Sequence, residues 1–179
     1  MTDEADRGLW EHRVRFDAAL GGLSIDIVAD AATREAIAQA FGMIALDALT
    51  AHVDMRPVKG LKPMVHVQLV LKCEVTQECG VSLEPFSHAI SGRLDLDCIE
   101  RARVTDEVAE IGESELTLGD LDEPDVINNG QIDLGQYAIE ALGEAYDPFA
   151  RKPGVVFQEP DIEPEPSPFA ILAKLKRDE

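Results

Sequence analysis

The sequence predicts an α+β fold: a mostly antiparallel, twisted sheet or partly open barrel, with two main helices packed on it and a short C-terminal helix. Two long runs, Met64–Cys73 and Phe86–Cys98, alternate apolar and polar residues with a period of two, which is typical of half-buried strands. Two other segments, led by Asp30 and Asp133, have a capping residue followed by apolar residues at helical spacing. At 179 residues the chain can bury a core without disulfides or a metal.

The first part of the chain is predicted to form edge strands around one helix. Leu9–Leu20 alternates in part and is predicted to be an edge strand, followed by a shorter strand over Ser24–Val28. Asp30 is a suitable N-cap for a helix that runs to about Phe41. Leu49–Arg56 is predicted to be the next strand.

The two alternating runs predict a central hairpin with a firm register. The apolar face of the first run consists of Val65, Val67, Leu69, Leu71 and Cys73. A shift of one residue would turn this whole set toward solvent. Cys73 and Cys98 fall on the apolar faces, where we expect them to be small buried side chains. Cys79 lies in the connection between the runs, and we expect it to be accessible.

The second part of the chain is predicted to contain a long acidic loop and the better defined helix. Glu110–Asn129 has the composition of a surface loop, with room for one short strand. Asp133 is the predicted N-cap of the helix, with Gln136 as its reciprocal partner three residues later. Asp147 and Pro148 should end this helix.

The composition divides the chain into one domain and a tail. Residues 1–157 hold the predicted strands and main helices and form a single α+β domain. Residues 158–167 are rich in proline and acids, which is typical of a linker. Residues 168–179 have the pattern of a short amphipathic helix that is ordered only where it docks.

The formal net charge of −19 is the strongest compositional feature. It repels phosphate backbones and anionic membrane surfaces, so we expect no strong direct nucleic-acid binding and no membrane partner. The segment Val104–Ala150 holds 13 acidic residues and no lysine or arginine. This segment is either a solvated face that maintains solubility or a docking surface for a basic partner, such as a ribosomal protein or a nuclease.

The cysteine content and the N-terminus predict a cytoplasmic protein. Three cysteines form an odd, sparse set, unlike the disulfide framework of a secreted domain. The first residues carry acids where a signal peptide needs basic residues. No apolar run reaches the ~20 residues of a membrane span.

No set of catalytic or metal-ligating residues is recognisable in the sequence. There is no nucleophile elbow, phosphate loop or dinucleotide fingerprint. Cys73 and Cys79 are too widely spaced for a zinc knuckle and lack a second pair. Asp120, Asp122 and Asp125 lack the glycine and terminal glutamate of a calcium loop. We therefore predict no enzyme activity, no catalytic residue, no metal and no cofactor.

Four segments, in this order, resemble the YceD family, also called large ribosomal RNA subunit accumulation proteins, and its alphaproteobacterial members most. They are Val75–Phe86, Ile132–Tyr137, Asp147–Gly154 and Ser167–Leu172. The resemblance implies a non-enzymatic cytoplasmic factor needed for normal accumulation or processing of large-subunit ribosomal RNA.

The resemblance departs from the family pattern at the hairpin connection. Many members carry Cys-x-x-Cys there, and the corresponding residues of this chain are Thr76, Gln77, Glu78 and Cys79. The first cysteine is thus replaced, which speaks against a metal or disulfide role shared with the family.

Charge and resemblance together predict docking to a basic protein, which would be either a ribosomal protein or an rRNA-processing factor. We place the docking face on the acidic Val104–Ala150 surface and the Thr76–Phe86 connection. Its predicted partner-binding residues are Thr76, Gln77, Glu78, Cys79, Glu84, Pro85, Asp133 and Tyr137. Glu84 and Asp133 are its least expendable acids, although Asp133 can also matter as a helix cap, at about 1 kcal/mol.

One alternative of a different class is a small module that binds a metal or another ligand through the Cys73–Cys79 hairpin connection. It predicts stoichiometric zinc that is lost on Cys79→Ser. An enzyme would instead require a concave pocket with converging titratable groups.

Overall fold

Three long antiparallel strands form the centre of the structure, a computed structural model that describes residues 8–59, 63–101 and 124–157. In chain order the elements are β1 (Arg13–Arg15), α1 (Phe16–Leu20), β2 (Leu23–Val28), α2 (Ala31–Phe41), β3 (Ala45–Val58), β4 (Met64–Glu78), β5 (Pro85–Glu100), β6 (Asp125–Ile127), β7 (Gln131–Asp133) and α3 (Leu134–Ala145). The predicted α+β class is confirmed.

The main sheet has the strand order β2-β3-β4-β5-β6, and β1 pairs with β7 in a second, two-stranded sheet. Neighbouring strands are antiparallel except β5 and β6, which are parallel. Across the described strands the main sheet is open, so the structure has the predicted sheet and not the barrel. The predicted linker and tail helix (158–179) and most of the acidic loop (102–123) lie outside the described residues.

Strand β4 is the centre of the core because it has a strand on each side and one face covered by helices. Its alternate residues from Val65 to Gln77 are buried. Each fully buried Val or Leu contributes about 1.5–3 kcal/mol. The predicted faces of the hairpin are therefore confirmed. The strands are longer than predicted, however: β4 continues to Glu78, so Thr76 and Gln77 belong to the strand and not to the connection.

The two main helices begin at the predicted caps. Asp30 Oδ1 accepts the Thr33 N–H at 2.8 Å at the start of α2. Asp133 caps α3, but the reciprocal half of the predicted capping box is missing, because the Gln136 side chain donates to Glu140 instead. Helix α2 packs on β3, and α3 packs on β4 and β5. No helix in the described part of the chain is both long and apolar enough to cross a membrane.

The predicted edge strand over Leu9–Leu20 is mostly wrong. Only Arg13–Arg15 is a strand, and the residues after it form helix α1. Phe16 and Ala19 lie three residues apart on one face of this helix and are both buried. Burying this pair in the core outweighs the short alternating pattern, which would have turned Ala19 to solvent.

Candidate functional site

The predicted partner-binding residues fall into two groups at opposite ends of α3. Six of them lie at or next to the turn that joins β4 to β5, whereas Asp133 and Tyr137 lie at the start of α3. The helix has 12 residues, so its ends are about 18 Å apart. The chain leaving α3 reaches the hairpin turn, where the Asp147 carbonyl oxygen accepts a bond from Gln77 Nε2 at 3.0 Å. The structure therefore separates the predicted face into two places.

The turn itself, residues 79–84, is called the hairpin tip here. The Cys79 N–H donates to the Glu84 carbonyl oxygen at 2.9 Å, and the Leu83 N–H donates to the Cys79 carbonyl oxygen at 3.0 Å. Leu83 has a φ of 58°, in the left-handed region that disfavours bulky residues. Its side chain is exposed. The tip thus presents a leucine to solvent from a strained backbone position.

Residues 147–152, called the crossing segment, pack against the hairpin tip. Three hydrogen bonds join them: Gly80 N–H to the Ala150 carbonyl oxygen (3.0 Å), Lys152 N–H to Cys79 Sγ (3.3 Å) and Lys152 Nζ to Glu84 Oε2 (2.9 Å). A fourth, from Gln77 Nε2 to the Asp147 carbonyl oxygen (3.0 Å), joins the end of β4 to the crossing segment. We call the two segments together the tip junction. It joins parts of the chain that are about 70 residues apart, so local sequence patterns gave no sign of it.

The prediction that Cys79 is accessible is wrong, because the crossing segment covers it. Its exposed fraction is 0%. Cys79 Sγ accepts hydrogen bonds from the N–H groups of Ser82 at 3.4 Å and Lys152 at 3.3 Å. Hydrogen bonding by Ser82, first through its side chain and then through its backbone, together with that of Lys152, lowers the pKa of the Cys79 thiol to about 6. The sulfur therefore holds the tip junction together from inside.

The other two cysteines confirm the predicted burial. Burial raises the pKa of both Cys73 and Cys98 to about 11, so their thiols stay neutral. Cys73 and Cys79 are six residues apart in extended chain, so their Cα atoms are separated by about 20 Å. They cannot bind the same metal ion at that distance. Among the described residues no group of three or more His, Cys, Asp or Glu side chains could hold a metal.

Gly80 is required where the crossing segment meets the tip. A Cβ at this position would lie 2.7 Å from the Phe149 carbonyl oxygen. That is well inside van der Waals contact, and the obstacle is backbone rather than a side chain that could move. A side chain at Gly80 would therefore push the two segments apart.

Gln77 is buried and has a structural role. Its Nε2 donates to the Asp147 carbonyl oxygen, and its Oε1 lies 3.1 Å from His88 Nε2, which donates to it. The His88 ring is stacked on Phe86, with the centroids 5.0 Å apart. Both ends of the amide are thus satisfied, as a buried polar group requires. A partner cannot reach Gln77 without opening the tip junction.

The accessible predicted residues at the tip junction are Glu78, Glu84 and Pro85, with Thr76 half-buried. Glu84 Oε2 lies 2.9 Å from Lys152 Nζ, which ties the hairpin tip to the crossing segment. Both side chains of that pair are well exposed, so it contributes at most about 1 kcal/mol to stability. The carboxylates of Glu78 and Glu84 remain available to a cation from outside.

At the other end of α3, Asp133 acts within the fold. Its Oδ1 accepts the N–H groups of Gly135 at 3.1 Å and His12 at 3.0 Å, and its Oδ2 lies 3.3 Å from Arg13 Nε. One carboxylate thus caps α3 and fixes the N-terminal segment. This end of the helix is tightly packed, because a Cβ at Gly135 would collide with the Trp10 carbonyl oxygen.

Tyr137 is also a structural residue. It is 4% exposed. Its hydroxyl donates to Asp125 Oδ2 at 2.5 Å and lies 3.3 Å from Cys98 Sγ. Burial is the main cause that raises the pKa of Tyr137, so the hydroxyl stays protonated. Asp125, one of the three aspartates considered for calcium, is thereby used by the fold, whereas Asp120 and Asp122 lie outside the described residues.

Leu83 lies within the predicted Thr76–Phe86 connection, and residues 147–150 of the crossing segment lie within the predicted Val104–Ala150 surface, but none of them is among the predicted partner-binding residues. Neither local pattern predicts that these two segments meet, because they are about 70 residues apart. The structure packs these two segments against each other. Comparisons with family models, with curated proteins and with solved structures found no match to this chain.

Proposed function

We propose that this protein is a non-enzymatic cytoplasmic factor that supports accumulation or processing of large-subunit ribosomal RNA, and that it acts by docking a basic protein. One observation carries the proposal. Val75–Phe86 and Asp147–Gly154, two of the segments that resemble the YceD family, are far apart in sequence but meet in the tip junction. A shared surface explains why both segments would be needed for one role.

Charge supports a protein partner rather than RNA. At a net charge of −19 the chain repels phosphates at long range and attracts Lys- and Arg-rich surfaces. Glu78 and Glu84 supply exposed carboxylates at the tip junction. A cationic ribosomal protein or rRNA-processing factor therefore fits this end of the molecule.

The state of the polar groups at the tip junction supports docking rather than catalysis. The Cys79 sulfur is covered and bonded, and the Gln77 amide is satisfied at both ends. A general base or nucleophile must be within hydrogen-bond reach of its substrate. The hydrogen bonds of these two groups hold the chain together at the tip junction, so neither group is within reach of a substrate.

Affinity purification at increasing ionic strength, read by mass spectrometry, tests the proposal. We expect large-subunit ribosomal proteins or processing factors to co-purify at low salt and to be released as salt screens the charges. A strain lacking the gene should show abnormal large-subunit rRNA profiles. Persistent absence of such partners, or binding that ignores salt, would contradict electrostatic docking.

A further inference from the structure

Several exposed apolar side chains lie in the tip junction or close to it in sequence. Of the eight large apolar side chains that are exposed in the described part of the chain, four belong to this region: Leu83 (68%), Phe149 (77%), Val156 (78%) and Phe157 (65%). Leu83 lies in the hairpin tip and Phe149 in the crossing segment, which touch through Gly80. Val156 and Phe157 follow within five residues of Lys152, which is bonded to Cys79. Exposed apolar side chains grouped in this way mark interaction sites.

The Leu83 side chain is not part of the core that the described residues form. Two non-glycine residues of the described chain have a positive φ, Leu83 at 58° and Asn129 at 59°. Asparagine tolerates this conformation, whereas leucine is disfavoured in it. The leucine side chain is also exposed, so it gains little from burial. Strain of this kind is typical of functional positions.

Phe149 is held rigidly although its ring is exposed. Its N–H donates to Asp147 Oδ1 at 2.9 Å, and its backbone lies against Gly80. An aromatic side chain on a fixed backbone loses little conformational entropy when it binds. Aromatic anchors of this type carry much of the energy of protein interfaces.

The edge of the patch is acidic. Glu78, Glu84 and Asp147 are exposed around it, against Arg151 and Lys152. Lys152 and Glu84 neutralise each other in an ion pair at 2.9 Å, which leaves Glu78 and Asp147 against Arg151 and a small negative excess. A partner with cationic side chains around an apolar centre therefore complements this surface in charge.

We propose that Leu83, Phe149, Val156 and Phe157, with the acids at their edge, form one docking surface for a basic protein segment whose apolar side chains are flanked by Lys or Arg. We call this the tip surface. The inference rests on the proposed function and adds the chemistry of the partner to it. Apolar anchors supply the affinity that survives salt, and the acids supply attraction and orientation.

The test uses the full chain and a fluorescein-labelled helical peptide in which leucines are interspersed with lysines. A second peptide of equal charge has serine in place of each leucine. Binding is measured by fluorescence anisotropy at low and high ionic strength, on the unchanged protein, Leu83→Gly and Phe149→Ser. Val28→Ser is the matched control, because Val28 is as exposed as Leu83 (68%) but lies on β2.

We expect Leu83→Gly and Phe149→Ser each to weaken binding of the leucine peptide about tenfold or more. Val28→Ser should leave it unchanged, and the serine peptide should bind weakly and release at high salt. Leu83→Gly should keep or raise the thermal midpoint, since glycine adopts a positive φ without steric cost. Loss of binding in that variant cannot then be attributed to unfolding.

Two outcomes would overturn the inference in distinguishable ways. If both peptides bind alike and Leu83→Gly and Phe149→Ser change nothing, the apolar tip surface is wrong while electrostatic docking stands. If neither peptide binds even at low ionic strength, the electrostatic docking of the proposed function fails as well.

Discussion

The two ends of α3 use their polar side chains in opposite ways. At the start of the helix, Asp133 caps α3 through backbone N–H groups and the buried Tyr137 donates to Asp125, so both side chains serve the fold. At the tip junction, Glu78 and Glu84 are exposed, next to apolar side chains that the fold does not cover. Both ends carry residues that the sequence assigns to one docking face, so that assignment does not separate residues that build the fold from residues that bind a partner.

Among these variants, Gly80→Ala should lower the free energy of unfolding the most, and it acts at the tip junction. Its Cβ would lie 2.7 Å from the Phe149 carbonyl oxygen, so the crossing segment must move. We expect the free energy of unfolding to fall by about 2–3 kcal/mol, measured by urea denaturation. Gly143→Ala in α3 is the control: its Cβ would lie 3.9 Å from Phe41 Cε1, an ordinary contact, and it should stabilise by about 1 kcal/mol. Equal effects of the two variants would contradict the close contact at Gly80.

Tyr137→Phe tests the other end of the helix. Removing the hydroxyl leaves Asp125 and Cys98 without their partner, which should cost about 1–2 kcal/mol in the free energy of unfolding. Tyr146→Phe is the control, because Tyr146 contributes an edge-to-face ring contact with Phe41 that phenylalanine keeps. We expect no change in binding to a basic partner. A binding defect in a folded Tyr137→Phe would place this end in the docking face after all.

Asp133→Ala should cost about 1 kcal/mol through loss of the helix cap. Asp133→Asn should retain most of that stability, because asparagine caps helices as well as aspartate does. Chemical denaturation of the two variants separates the cap from the charge. Affinity for a basic partner that fell equally in both variants would mean that the Asp133 carboxylate contacts the partner.

Cys79 gives a prediction of another kind, a slope of stability with pH. Its pKa is about 6 in the folded protein against an ordinary 9.0, so hydrogen bonding favours the thiolate of the folded state. This contribution is fully present above pH 9 and is lost as the pH falls through about 6. Unfolding measured between those values should show stability rising with pH, less so in Cys79→Ser. Identical slopes would show that the sulfur is not stabilised as a thiolate.

Local patterns predicted the parts of the fold that local chemistry decides. The register of the β4–β5 hairpin follows from alternation, and the starts of α2 and α3 follow from Asp30 and Asp133. The helix at Phe16–Leu20 was missed because the core, not the local pattern, selects it.

The site was predicted only in part, for a related reason. The Val75–Phe86 segment was singled out from resemblance, but the burial of Cys79 and Gln77 depends on residues about 70 positions later. No spacing rule connects segments so distant. Charge and resemblance place Asp133 and Tyr137 in the docking face, whereas the capping pattern predicts the structural role that Asp133 has in the fold.

The most direct measurement compares charge removal at the two ends of α3. Three proteins are compared: the unchanged chain, a tip variant that carries both Glu78→Gln and Glu84→Gln, and Asp133→Asn. Their binding to large-subunit ribosomal proteins that have been freed of RNA is measured at low ionic strength. The tip variant should lose most of the binding and Asp133→Asn should keep it. Equal binding by all three proteins, or a loss confined to Asp133→Asn, would contradict docking through the tip junction.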